Sequence, residues 1–195
     1  MPSNLRSSSP GSPAGASTSP ESEETFSPIL KCLASFDRWP DGRLFALVAA
    51  IVLLTRVPWL GPGYGTDADG WRLVLVGRTL AAGGHYAIAR PPGCPVLEFA
   101  ATGLQAGGPL AFNAVTALFS AMGAGWLVLA MRRMGVRLAA PAGVALALSP
   151  VVYINSVNAM DYVWAFTFAM ASLDAVTRRH PLTAGLLLGL GIGCR

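Results

Sequence analysis

The stretch "LFALVAAIVLLTRVPWL", residues 44–60, carries one charged side chain, Arg56, in an otherwise apolar run. A helix rises about 1.5 Å per residue, so the run reaches roughly 25 Å, and extending it from Gly42 to Gly61 brings it to the hydrocarbon thickness of a bilayer. Four further apolar runs follow, at about 109–131, 138–154, 162–176 and 182–194. A chain with 53% hydrophobic and only 12% charged residues is too apolar for an ordinary soluble domain. The expected fold class is therefore all-α, a polytopic transmembrane helix bundle.

This reading divides the chain. Residues 1–28, rich in Ser, Pro, Gly and Glu, lack the large apolar side chains that would offset chain entropy, and they read as a disordered tail. Residues 29–43, "ILKCLASFDRWPDGR", read as a cytoplasmic juxtamembrane segment. It is either a short amphipathic helix presenting Lys31, Arg38 and Arg43 to headgroups or a plain linker. Residues 44–195 form the membrane domain, with a long outer loop at 61–108.

Charge placement orients the spans. Arg132, Arg133 and Arg137 share one short loop, and Arg178, Arg179 and His180 share another, whereas "NSVNAMD" between the third and fourth spans has no basic residue. Basic loops are retained in the cytoplasm, so the N-terminus and both Arg loops face inward, and loop 61–108 and Asp161 face outward. The net charge of +4 then reflects topology, and nucleic acid is excluded as a partner. Cys32, Cys94 and Cys194 show no paired spacing and are expected to be free thiols.

The outer loop has its own pattern. Asp67 and Asp69 precede "WRLVLVGRTLAAGG", where acidic residues complement a helix N-terminus and Gly83-Gly84 ends the helix. A helix of this length is too short to span. With Trp71, Leu73, Val74, Leu75, Val76 and Leu80 it is expected to lie along the membrane. "RPPGCP" then makes a rigid corner before a second short apolar helix, "VLEFAATGL". Two interfacial helices joined by such a corner would roof a cavity at the outer leaflet.

Several side chains here have two readings each. Asp67 and Asp69 are helix caps or reactive carboxylates. Arg56 snorkels to the interface or meets an anion. Arg72 and Arg90 are further basic groups on the same side. Glu98 faces the cavity or solubilises the loop. Asp161 is an ordinary helix start or, as an ionisable group at the edge of a span, part of a site. Asp174 stands four residues before Arg178 and reads as a helix-surface ion pair. His85 reads as a loop residue, and the two histidines show no metal-ligand spacing.

The first span, the acidic opening of an interfacial helix, "LAAGGHYAIARPPGCPVLE", "ALSP" and "NSVNAMDYVWAFTFAMASLDAV" together resemble the N-terminal portion of the GT-C superfold membrane glycosyltransferases, in particular the protein O-mannosyltransferase and aminoarabinose transferase group. The resemblance covers roughly residues 42–195. It implies transfer of a sugar from a polyprenyl-phosphate donor to an acceptor at the outer face of a bacterial inner membrane. It also implies that Asp67 or Asp69 is the base, with Asp67 preferred and Asp69 its partner. Arg56, Arg72, Arg90, Glu98 and Asp161 would bind or position substrate. No resident cofactor is implied, because the lipid-linked sugar is a substrate and membrane lipids are the surroundings. Relatives of this kind have more spans, so this chain would be either the first part of such an enzyme or one half of it, with the partner half supplied by another chain. The alternative is a non-enzymatic polytopic protein, a transporter fragment or assembly subunit, but its charges would then be expected near mid-membrane rather than at one face.

Overall fold

The computed structural model describes residues 35–195, so the tail at 1–28 and residues 29–34 of the juxtamembrane segment lie outside it. The described part of that segment contains a 3-10 turn at Phe36–Arg38 and, from Asp41, the start of the first long helix. All regular structure among the described residues is helical. Eight helices follow in order: α1 Asp41–Arg56, α2 Ala68–Ala81, α3 Pro95–Leu104, α4 Gly108–Arg133, α5 Ala139–Leu148, α6 Pro150–Asn155, α7 Tyr162–Thr177 and α8 Pro181–Gly193. Two helical runs, Asp41–Trp59 and Pro95–Arg133, are long and apolar enough to cross a membrane.

Helix α4 is the axis of the packing, with α1 and α5 on one side and α7 on another, and α7 carries α8 in turn. Its inward positions are small. Ala121, Ala124 and Val128 meet Leu44, Val48 and Val52 of α1 and Ala139, Ala140 and Ala147 of α5 in one buried cluster. Small residues let helix backbones approach closely, the usual solution where apolar burial alone does not drive helices together. Trp164 of α7 stacks on Phe119 at 4.0 Å between centroids and donates its indole N–H to Thr116 Oγ1 at 3.1 Å. That pair fixes the start of α7, where Asp161 sits.

The third expected span is broken. Ser149 precedes Pro150, and the clash of a proline ring with the preceding residue forces extended backbone, here ψ 141°. The run at 138–154 is consequently two short helices, α5 and α6, rather than one. The break frees the carbonyl of Ala147, and Arg56 donates to it.

One end of the bundle is pinned by ion pairs. Asp41 at the start of α1 meets Arg132 and Arg133 at the end of α4, and Arg133 also meets Asp174 of α7. Asp174 pairs with Arg178 at 2.8 Å, the four-residue pair read from the sequence. The charges of loop 61–108 gather elsewhere, around α2, α3 and the start of α7.

Candidate functional site

The loop at 61–67 is placed by α4 and by the residues before α7. Buried Asn113 donates to the carbonyls of Leu60 at 3.0 Å and Gly63 at 2.7 Å. Ala159 N–H donates to Tyr64 O at 3.2 Å, and Trp71 Nε1 to Gly65 O at 3.0 Å. Helix α2 starts with Asp67 as its cap: Asp67 Oδ1 accepts the Asp69 N–H at 2.8 Å. It ends where Gly83 takes φ +77° and Gly84 N–H returns to Thr79 O at 2.9 Å.

Helix α2 has two apolar faces. Leu73, Val74 and Val76 are buried, whereas Trp71 and Leu75 are exposed. The buried face packs on α3. Near its start, Gly70 lies so close to the loop before α7 that a Cβ there would stand 2.8 Å from the carbonyl oxygen of Ala159. A side chain at this position would push α2 away from Asp161.

The corner between the two loop helices turns at Gly93, φ +112°, whose N–H donates to Arg90 O at 2.7 Å; the Pro91-Pro92 bond is cis. Upstream, the segment leading to the corner is held by Glu98 of α3. Its fully buried carboxylate accepts from Tyr86 OH and from Ala89 N–H, the latter at 2.7 Å. The hydrogen bond from Tyr86 to Glu98 raises the phenol's pKa above its ordinary value. Glu98 thus fixes the backbone next to Arg90.

Arg90 is the centre of the site. One guanidinium nitrogen contacts Asp69 Oδ2 at 2.9 Å and the other Asp161 Oδ2 at 2.7 Å. Asp69 offers its other oxygen to Arg72 at 3.0 Å. The two carboxylates differ in exposure: the Asp161 side chain is 7% exposed and the Asp69 side chain 32%. The hydrogen bond from Arg90 holds the Asp69 carboxyl below its ordinary range, and the same contact holds the guanidinium more firmly protonated. A cavity opens beside this cluster, lined by Asp69, Arg90 and Asp161 together with apolar Leu73, Leu97 and Met160. Cys94 borders it, and burial pushes that thiol's pKa up, away from the thiolate a nucleophile needs.

The residues singled out in the sequence are thus only partly brought together. Asp69, Arg72, Arg90 and Asp161 form one network. Asp67 stands outside it, exposed and used as the cap of α2. Glu98 does not face the cavity; it holds Tyr86 and Ala89. Arg56 does not reach outward to the surface. It is fully buried, donates to Ser156 Oγ at 2.9 Å, to Thr55 Oγ1 and to the Ala147 carbonyl, and lies 4.2 Å from the Tyr153 ring centroid. Its role is to tie the end of α1 to the break between α5 and α6. Tyr86 escapes notice in the sequence, because only the folded corner brings it to Glu98.

Among the described residues no three His, Cys, Asp or Glu side chains converge to hold a metal ion. Chemically, the network offers a carboxylate in the lining of a cavity and a cation beside it, groups that can meet a proton and an anionic group. Comparison with known proteins gives no match to any family model, curated protein or solved structure.

Proposed function

We propose that the chain is a polytopic membrane glycosyltransferase of the GT-C kind, or the N-terminal part of one, that moves a sugar from a polyprenyl-phosphate donor to an acceptor at the outer membrane face. One observation carries this reading: Asp69, Arg90 and Asp161, from three separate segments, meet in the lining of one small cavity, away from the ion pairs that close the Arg-rich end of the bundle. Two membrane-length helical runs, and charge collected at helix ends rather than along them, support it further.

In this reading the donor phosphate lies against Arg90 and Arg72. The acceptor oxygen attacks the anomeric carbon, the bond from that carbon to the phosphate oxygen breaks with its electron pair going to phosphate, and Asp69 takes the acceptor's proton. Asp69 held by Arg90 is a weak base. A phosphate that draws Arg90 onto itself weakens that hold and raises the basicity of Asp69 when it is needed. Asp161, more deeply buried, keeps its end of the guanidinium throughout.

A second reading, a non-enzymatic membrane protein, draws on a different observation: Arg90 and Asp69 are already fully engaged with protein partners, as in a structural network. Transfer of labelled sugar from a polyprenyl-phosphate donor by the protein expressed from its complete reading frame separates the two. Donor-dependent labelling of an acceptor supports the enzyme, and none in membranes that contain the folded protein supports the structural role.

A further inference from the structure

The end of the bundle closed by Asp41, Arg133 and Asp174 carries charge that these ion pairs do not consume. Asp41 joins Arg132 and Arg133, and Asp174 joins Arg133 and Arg178, so the start of α1 and the ends of α4 and α7 stand at one level. Around that level Arg38, Arg43, Arg137 and Arg179 are exposed and make no salt bridge among the described residues. Each lies within a few residues of a pinned position, so the four share the same end of the molecule. Both described acids there, Asp41 and Asp174, are spent on internal pairs; the sequence adds Asp37 beside Arg38. At the opposite end Arg72 and Arg90 are matched by Asp69 and Asp161, while Arg78 makes no salt bridge among the described residues.

Exposed apolar side chains stand among these arginines. Trp39 is 39% exposed, Met134 54% and Val136 42%. Arg132 donates to the Trp39 carbonyl, which fixes that segment beside the end of α4. An aromatic ring and apolar side chains level with a ring of cations match the depth profile of a bilayer's headgroup region, apolar groups inward and cations at phosphate height.

We propose that this rim, Arg38, Arg43, Arg137 and Arg179 around Trp39, Met134 and Val136, binds anionic phospholipid headgroups. Four guanidinium groups that make no salt bridge among the described residues select net negative lipid over zwitterionic lipid. Each contributes about fivefold in affinity at a typical anionic leaflet, and the contribution falls with added salt. The proposal needs the bundle to sit in a membrane but does not depend on sugar transfer.

The test titrates fluorescent phosphatidylglycerol, fluorescent phosphatidylcholine and inorganic phosphate separately into the detergent-purified full chain. The expected result is tighter binding of phosphatidylglycerol than of phosphatidylcholine by tenfold or more, reduced several-fold between low and high salt. The variant R38Q/R43Q/R137Q/R179Q is expected to lose that preference, and the matching Arg→Lys variant to keep most of it, which separates loss of charge from loss of fold. Equal binding of the two lipids, a preference that survives in the Gln variant, or a preference lost equally in the Lys variant overturns the proposal. Competition by inorganic phosphate at concentrations equal to the lipid also overturns it, because the site is then one for soluble phosphate.

Discussion

Asp69 and Asp161, far apart in the chain, hold opposite arms of one guanidinium, that of Arg90, at 2.9 and 2.7 Å. The arrangement makes three segments interdependent: the first turn of α2, the corner before α3 and the start of α7. Removing either aspartate leaves one arm of the guanidinium unpaired, and removing Arg90 leaves Asp161 without its cation.

Asp161→Asn removes the buried partner of Arg90. Truncating one side of a buried charge pair leaves the other side uncompensated, so a loss of about 1–3 kcal/mol in stability is expected, read as a lowered thermal midpoint in detergent. Asp69→Asn, at the more exposed arm, is expected to cost clearly less. An equal cost for both would show that the two arms are equivalent.

Asp67→Ala removes the cap of α2 but no member of the charge network. About 1 kcal/mol of stability is expected to go with it. Asp67→Asn or Asp67→Ser, each able to accept the Asp69 N–H, is expected to recover most of the loss. Thermal unfolding of the three variants side by side checks this.

Because Arg90 holds the Asp69 carboxyl below its ordinary value, the native state binds that proton less readily than the unfolded chain. The contact therefore stabilises the fold in full above the ordinary carboxylate value near pH 4 and is lost as the pH falls through the depressed native value. The thermal midpoint of the wild type is expected to decline more steeply on the acid side, below about pH 4, than that of Asp69→Asn. Parallel acid-side curves would remove the pairing from the account.

Gly70→Ala tests the close approach that brings α2 to Asp161. The added methyl meets the Ala159 carbonyl oxygen at 2.8 Å, and backbone cannot yield as a flexible side chain can. A loss of about 1–3 kcal/mol is expected, together with weakened contact between Arg90 and Asp161. Glu98→Ala, which leaves Tyr86 OH and Ala89 N–H without their partner, is expected to cost a similar amount, and Tyr86→Phe only part of it.

How far these features were legible varies with their range. The boundaries of α2 could be read locally, because Asp67 as cap and Gly83 as terminator act on their own neighbours. The pair between Asp174 and Arg178 follows from helical spacing in the same way. The break at Ser149 was also visible in principle: a proline at position 150 disfavours helical backbone before it, and the apolar run hid that signal. Arg56, Glu98 and Asp161 were a different matter. Their partners, Ser156, Ala89 and Arg90, come from other segments, and no spacing rule connects them. A charged residue near the end of an apolar run reads as exposed by default, yet Arg56 is buried because the broken α5–α6 junction supplies it with a carbonyl and a hydroxyl.

The central claim is that Asp69, and not Asp67, accepts the proton in sugar transfer. The most direct measurement is the rate of transfer from a saturating polyprenyl-phosphate donor by membranes holding equal amounts of wild type, Asp67→Asn and Asp69→Asn, expressed from the complete reading frame. Loss of a positioned general base costs about 10²–10⁴ in rate, so Asp69→Asn is predicted to fall by at least that lower figure while Asp67→Asn keeps most of the wild-type rate. Transfer by Asp69→Asn at the wild-type rate, or a collapse confined to Asp67→Asn, would contradict the account.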